Sequence, residues 1–424
     1  MQTVADELKI KGQASRKAAR ALAKLTGEVR NGALLEIARR LEDGQSGVLE
    51  ANAKDIAAGR ANGLSDAMLD RLLLTPERLE AIAGDVRSVA ALPDPVGETF
   101  DMRFMPNGLQ IGRRRVPLGV IGVIYESRPN ITIDISVLCL KSGNAVILRG
   151  GSEAINSNSA LARLVREAIA DAGVPGDAVQ FIENTDRALV GEMLKAKDII
   201  DLLIPRGGQA LIERVASEAT MPAITGGVGV CHTYVDAAAK LGMAVDIVNN
   251  AKVSRPSVCN ALDTVIVHAA IAPMFLPMLA DRFRKSGVEM RGDTRALAIL
   301  GTPPGLKIVQ ATEEDWATEY LSLTAGVKIV DSLDEAMAHI EKYGSGHSEA
   351  IVTEDYSAAT RFMNEVDAAA VMINASTRFN DGGQFGLGAE VAVSTNKMHA
   401  RGPMGLRELT SYKWTVFGTG QIRA

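Results

Sequence analysis

Between residues 3 and 92, Ala and Leu recur at helical spacing with Lys, Arg and Glu between them, which predicts a run of helices. Breaks fall near Gly27, Asn31-Gly32, Gly44 and Gly63. Thr75-Pro76 reads as a helix start: a capping hydroxyl, then proline at the first helical position. Leu92-Pro93-Asp94-Pro95 closes this part. Residues 109–116 alternate as an exposed strand. Their consecutive arginines, Arg113, Arg114 and Arg115, have the composition of an anion site. On an alternating strand they read first as a solvated sheet edge that resists aggregation.

From Gly119 the period changes. Gly119–Tyr125, Asn144–Leu148, Val179–Ile182, Ile199–Ile204 and Val230–Val235 read as strands. Between them Ser152–Asp171, Arg187–Lys195 and Gly207–Ser217 read as helices. Strands alternating with helices imply a parallel sheet covered on both faces. Such sheets bind nucleotides beyond the carboxyl ends of their strands. That position falls on Arg149-Gly150-Gly151-Ser152 and Pro205-Arg206-Gly207-Gly208, glycine pairs that open helices. Backbone amides there bind phosphate without a side chain, although glycine pairs also serve simply as turns. Neither GxGxxG nor the P-loop pattern occurs, which disfavours a standard dinucleotide fingerprint and a P-loop kinase.

A second α/β set follows residue 263. Strands are expected at 264–268, 327–330, 350–352 and 370–373, with helices at 271–286, 333–342 and 355–366 and an apolar run at Ala296–Leu300. Ser332 or Asp334 is placed to cap the helix from 333. Residues 374–418 are long and irregular, the mark of a functional segment or an arm. Leu409–Phe417 has the pattern of a strand that could be given to a partner subunit.

At 424 residues, two or three domains are expected. The hydrophobic share of 47% and charged share of 23% are ordinary for a globular protein. A net charge of −5 without a basic run argues against nucleic acid as a partner. Three cysteines without CxxC spacing argue against a disulfide framework or a structural zinc site, and fit a reducing cytoplasm. The N-terminus has no signal-peptide pattern, and no run of 18 apolar residues occurs, so no membrane span is expected.

The chemistry concentrates at residues 252–264. Pro256 blocks continuation of the preceding helix, so Cys259 lies on a loop between a helix and a strand. Lys252 and Arg255 stand close by, and a neighbouring cation favours the thiolate, the nucleophilic form. From this stretch alone, a reactive thiol and an inert buried cysteine are both open.

Pro117-Leu118-Gly119-Val120-Ile121-Gly122, Ser142-Gly143-Asn144 and the loop cysteine resemble the aldehyde dehydrogenase superfamily. Closer motifs are similar to its γ-glutamyl phosphate reductase family. These are Tyr125-Glu126-Ser127-Arg128-Pro129-Asn130, Leu148-Arg149-Gly150-Gly151-Ser152-Glu153, Ile204-Pro205-Arg206-Gly207-Gly208 and Arg255-Pro256-Ser257-Val258-Cys259-Asn260. Tyr343-Gly344-Ser345-Gly346-His347-Ser348, Asn374-Ala375-Ser376-Thr377-Arg378-Phe379 and His399-Ala400-Arg401-Gly402-Pro403 complete the set, and the resemblance runs from about residue 5 to the C-terminus.

The resemblance implies an α/β fold of the aldehyde dehydrogenase kind: a Rossmann-like cofactor domain, a catalytic domain and a small β arm for oligomerisation. The expected divisions are 1–107 with 128–253 for the cofactor domain, 254–388 for the catalytic domain, and 108–127 with 389–424 for the arm and return segment. It implies NADPH-dependent reduction of L-glutamyl 5-phosphate to L-glutamate 5-semialdehyde, the second step of proline synthesis from glutamate. No kinase domain precedes the motifs, as in the stand-alone bacterial form. Hand-over from a separate glutamate 5-kinase and a homodimer or dimer of dimers are the expected partners, in the cytoplasm.

By the same resemblance Cys259 is the nucleophile that forms a thioester, and Asn130 supplies a side-chain amide to the oxyanion; a simple helix cap is the alternative for Asn130. Glu319 matches the superfamily Glu that holds the nicotinamide ribose, against a surface helix Glu as the plain reading. Arg149 replaces a superfamily Lys near the adenosine ribose, where a cation suits a 2′-phosphate. Gly150, Gly151, Ser152, Glu153, Pro205, Arg206, Gly207, Gly208, Gly226 and Gly227 complete the cofactor set. Arg128, Arg255 and Arg378 are the candidate anion holders, with Ser376 and Thr377 as hydroxyl donors. His347 reads as a proton donor, a phosphate ligand or a structural residue. His232 and Cys231 read as packing, with no metal.

One departure from the superfamily bears on the reaction. Aldehyde-oxidising members carry a Glu before a Gly-Gly pair, as the base that activates water. Here that stretch is Pro222-Ala223-Ile224-Thr225-Gly226-Gly227, without a carboxylate. Lacking a positioned base, water attack on a thioester loses roughly 10²–10⁴-fold. This favours a phosphate-releasing reductase over an aldehyde-oxidising dehydrogenase. A non-catalytic protein on the same fold is the rival of a different class, and Cys259, Asn130 and Glu319 together count against it.

Overall fold

The computed structural model describes residues 4–226, 228–302 and 304–423, in two compact units. The first comprises residues 1–225, 387–391 and 404–424, and the second 226–386 with 392–403.

The first unit opens with helices α1 (Val4–Leu22), α2 (Gly27–Asp43), α3 (Gln45–Ala61), α4 (Asp66–Leu72) and α5 (Pro76–Ala91). The Thr75 hydroxyl accepts from the Arg78 amide and Pro76 takes the first helical position, as its sequence requires. Asn31-Gly32 does not break α2. Asn31 serves tertiary structure instead, accepting at 2.6 Å from the buried Lys141 ammonium, which also donates to the Ala90 carbonyl.

Strands β1 (Thr99–Phe104) and β2 (Gln110–Pro117) form a three-stranded antiparallel sheet with the C-terminal strand Thr410–Phe417. β2 is its middle strand, so the three arginines are not on a sheet edge. The C-terminal strand pairs with β2 of its own chain from Thr410↔Pro117 to Phe417↔Gln110. Alternation decides the rest: the Arg113 guanidinium lies 4.8 Å from the ring centres of both Tyr412 and Trp414.

After β3 (Val120–Tyr125) come α6 (Asn130–Lys141), β4 (Ala145–Arg149), α7 (Ile155–Asp171), β5 (Val179–Phe181), α8 (Ala188–Lys195), β6 (Leu202–Arg206) and α9 (Gln209–Glu218). The four strands are parallel in the order β5-β4-β3-β6. Every residue of β3 and β4 is buried, as expected of a parallel sheet covered on both faces. The chain leaves β3 toward β4 and β5, then returns past it to β6. The direction therefore switches between β3 and β6, the position at which open α/β sheets bind ligands beyond their carboxyl ends. Residues 108–127 thus hold two things, an arm strand and the centre of the parallel sheet.

The second unit holds β7 (His232–Val235), α10 (Leu241–Val253), β8 (Thr264–His268), α11 (Ala272–Ser286), β9 (Glu289–Gly292), α12 (Thr294–Leu300), β10 (Ile308–Gln310), β11 (Thr324–Val330), α13 (Leu333–Tyr343), β12 (Ser348–Val352), α14 (Tyr356–Glu365) and β13 (Ala370–Ile373). Its seven parallel strands run β10-β9-β11-β8-β7-β12-β13. β7 therefore does not extend the first sheet, as simple alternation along the chain suggests. Val265 and Val267 of β8 pack on one face with Phe275, Leu279 and Phe283, while Ile266 packs on the other with Ile340 and Phe362. Ser332, rather than Asp334, caps α13 by accepting from the Glu335 amide. A short hairpin, β14 (Val393–Ser394) with β15 (Gly402–Pro403), lies in the nominally irregular segment. Among the described residues, no helix is long and apolar enough to cross a membrane.

Candidate active site

Cys259 sits on the turn between α10 and β8, part-exposed, while Cys139 and Cys231 are buried; no disulfide joins them. Burial pushes the thiols of Cys139 and Cys231 up, away from reactivity. The turn is held by its backbone. The Cys231 thiol donates to the Cys259 carbonyl at 3.2 Å. Gly229 packs so closely beneath that a Cβ there would stand 1.6 Å from the same oxygen. Glycine at 229 is a steric requirement of the site.

The two ends of the turn are tied by a buried pair. The Lys252 ammonium, at the end of α10, lies 3.7 Å from Asp263 and donates to the Ser322 carbonyl. Asp263 also accepts from the amides of Cys231 and Tyr320. Burial pushes the Asp263 carboxyl up to about 6, against the pull of Lys252 and these amides. Lys252 is thus paired with Asp263, and Arg378 is a cation that feels the Cys259 thiol. The Arg378 guanidinium is lowered by burial and by the charge of Arg255, and partly restored by Asp381 and Cys259. Arg255, Arg378 and Cys259 share one electrostatic neighbourhood.

The neighbouring hydroxyls hold the frame. Thr377 is fully buried and donates to the Asn260 carbonyl at 2.7 Å. Ser376 accepts from the Arg378 amide at the start of a short 3₁₀ turn. Asn260 accepts from the Arg378 guanidinium and donates to the Asn380 carbonyl. The Thr377 hydroxyl thus uses its proton on Asn260, while the Ser376 hydroxyl accepts from Arg378.

Glu319 is not a surface helix residue. It follows the 3₁₀ turn Glu314–Ala317, is half-buried, and accepts from the Gly229 amide at 3.0 Å, which brings it beside the Cys259 turn. Burial raises its pKa, opposed by the Gly229 amide and Lys252. His347 is fully buried beside Ser348, its Nδ1 2.7 Å from the Ser348 hydroxyl and 3.9 Å from the Cys231 sulfur. Burial lowers its pKa to about 4, and its Nε2 has no hydrogen-bond partner among the described residues. His232 is bound to Glu349 at 3.0 Å in the core, consistent with packing.

The first unit presents the other candidates. At the carboxyl end of β3, Glu126 accepts from the Gly208 amide, which caps α9. Glu153 accepts from the amide and hydroxyl of Ser127 at 2.6 and 2.8 Å. A Cβ on Gly151 would stand 2.2 Å from the Glu153 carboxylate. Arg149 is buried at the end of β4 and donates one guanidinium nitrogen to the Thr185 carbonyl, while its Nε has no partner. Gly207 and Gly208 are exposed, whereas Pro205 is buried within β6 and Arg206 ends that strand. Exposed glycines at a helix start are of the kind that take a nucleotide's phosphates, and in this structure the Gly208 amide is held by Glu126. Gly226, in the second unit, packs against the β14 backbone, and Gly227 lies outside the described residues. Arg128 is exposed in the loop before α6. Asn130 opens α6 but does not cap it. Its amide donates to Asp134 at 2.8 Å, a carboxyl that burial raises to about 6.

Gly229 and Asp263 are absent from the residues singled out in the sequence, and Asn260 appears there only as the end of a motif. Asp263 left a signal, an acid directly before an apolar strand. Gly229 follows only from which segments the fold brings to the Cys259 turn.

Residues 2–299 match the family model described as the aldehyde dehydrogenase family. A γ-glutamyl phosphate reductase of Dehalococcoides mccartyi (strain CBDB1) is 59% identical over 417 residues, covering 98% of each chain. That of Moorella thermoacetica is 56% identical, covering 99% of each. The crystal structure of γ-glutamyl phosphate reductase from Thermotoga maritima superposes with a TM-score of 0.96 at 47% identity, covering 99% of this chain and 100% of that one.

Proposed function

Because the chain belongs to the γ-glutamyl phosphate reductases of the aldehyde dehydrogenase family, we propose that it reduces L-glutamyl 5-phosphate to L-glutamate 5-semialdehyde with release of phosphate. In this reading it serves proline synthesis and uses NADPH. The observation that carries it is the Cys259 turn: one part-exposed thiol on the turn that also holds Arg255, next to Asn260, which accepts from the Arg378 guanidinium, with no other exposed cysteine.

The chemistry proceeds at Cys259. Its thiolate attacks the acyl carbon, the S–C bond forms, and the C–O bond to phosphate breaks as inorganic phosphate leaves with the electron pair. Arg255 and Arg378 neutralise the departing phosphate or the α-carboxylate, both natural bidentate partners of guanidinium. The Cys259 backbone amide is the proposed donor to the oxyanion. Glu319 orients the cofactor ribose, and Arg149 and the glycine loops of β4 and β6 take its phosphates. The nicotinamide cofactor, when bound, supplies the hydride that converts the thioester to aldehyde and returns the thiolate. No carboxylate precedes Gly226 to activate water, so the thioester outlasts hydrolysis.

The test is capture of the thioester. Incubation with the acyl phosphate, generated in place by a glutamate kinase with ATP, should add a glutamyl group to Cys259 by mass spectrometry when cofactor is withheld. Cys259→Ala should show no adduct and a turnover lowered by about 10³-fold or more, as for loss of a covalent nucleophile. Full activity in Cys259→Ala would end this reading.

A further inference from the structure

We propose that the first unit has a second anion site, remote from the nucleotide loops, which takes a small molecule bearing two or more closely spaced negative charges. A cavity of about 640 Å³ opens between α1, the arm sheet and the turn before β3. That volume is typical of small-molecule sites. Its lining includes five cations, Arg16, Arg20, Arg114, Arg115 and Lys413, against one carboxylate, Asp198. This is a local reversal of sign on a chain of net charge −5.

The arrangement places like charges together twice. Arg114 of β2 stands directly across from Lys413 of the C-terminal strand, on the same sheet face. Like charges so paired destabilise a sheet. Arg16 and Arg20 are four residues apart on α1, hence on one helix face, where like charges also repel. Two of the five cations are fixed by acids: Arg16 with Asp201 at 2.5 Å, and Arg115 with Glu98 at 2.9 Å. Arg20, Arg114 and Lys413 have no carboxylate within bonding distance among the described residues. Arg20 also complements the carbonyl end of α1, but that role explains neither Arg114 nor Lys413. An anion between α1 and the sheet removes both repulsions at once.

The cavity is not part of the catalytic machinery. It borders Gly119, at the amino end of β3, whereas the nucleotide loops stand at the carboxyl ends. Six residues of strand separate the two ends, about 20 Å. Gly119 is fixed there: its φ is +130°, and a Cβ would meet Asp201 at 2.2 Å. The ligand is therefore an effector or a stabilising ion, recognised by charge density.

Calorimetric titration of the full chain with pyrophosphate, and separately with citrate, tests the site and tells phosphoryl from carboxylate ligands. Saturable binding of at least one is expected in the wild type and in Cys259→Ala. Arg114→Gln combined with Lys413→Gln should weaken it about tenfold or more, the order expected for two lost charge-assisted contacts. The same pair should melt no lower than wild type without anion, because a repulsion is removed, and should lose the anion-dependent rise in Tm. Absence of binding by either anion at millimolar concentration, or equal binding by the double variant, would overturn the proposal.

Discussion

Cys259 is positioned through its carbonyl. Gly229 beneath it and the Cys231 thiol donating to it fix the turn, and Asp263 with Lys252 fixes both ends. Gly229→Ala should displace the Cys259 backbone by an ångström or so. Turnover should fall about 10²-fold, with a loss of stability of about 1–3 kcal/mol from overpacking; kcat and thermal melting measured together check this. Wild-type kcat in that variant would show that the turn tolerates movement. His339 offers a second test. It is buried against the rings of His232, Trp316 and Tyr343, and burial, with the charges of His232 and Lys328, lowers its pKa to about 3. The unfolded chain takes up a proton below about pH 6.5 that the folded chain refuses down to about 3. Stability from this group is therefore present above pH 6.5 and is lost as pH falls toward 3. His339→Phe removes that loss. Denaturant unfolding should show the variant gaining on wild type by about 1.4 kcal/mol per pH unit through this window, and parallel pH profiles would contradict it.

At the level of elements, the C-terminal strand completes the arm sheet of its own chain through eight registered positions with β2. Removing residues 410–424 should cost on the order of 2–8 kcal/mol, from roughly 0.2–1 per cross-strand pair. A lower Tm and faster proteolysis near β2 are the expected readouts. Much of this level was legible in the sequence. Val265-Ile266-Val267 reads as a buried strand because it is one, and Thr75-Pro76 starts a helix because capping is local chemistry. What was not legible depends on partners distant in sequence. The Arg113–Arg115 run reads as an edge until the C-terminal strand supplies its second neighbour. Asn31-Gly32 reads as a break until Lys141 supplies a use for Asn31. At the site, the loop position of Cys259 between a helix and a strand was legible in the sequence, while the burial of Ser376, Thr377 and His347 follows only from packing.

For the whole molecule, the candidate residues divide between the units. The first holds the topological switch point and the glycine loops; the second holds Cys259, Arg255, Arg378 and Glu319. Family membership fixes the class of reaction, and the stretch before Gly226 separates its two possible endings. The thioester proposed at Cys259 would be resolved by phosphate or by water, and no carboxylate stands in sequence where the water-activating base would be. The most direct test runs the reaction backwards: glutamate 5-semialdehyde, in equilibrium with its cyclic imine, is given with NADP⁺, and NADPH formation is followed with and without inorganic phosphate. The account predicts turnover that requires phosphate, with water supporting a rate lower by roughly 10²–10⁴-fold. Equal turnover without phosphate would contradict it, since some other group would then be activating water at the thioester.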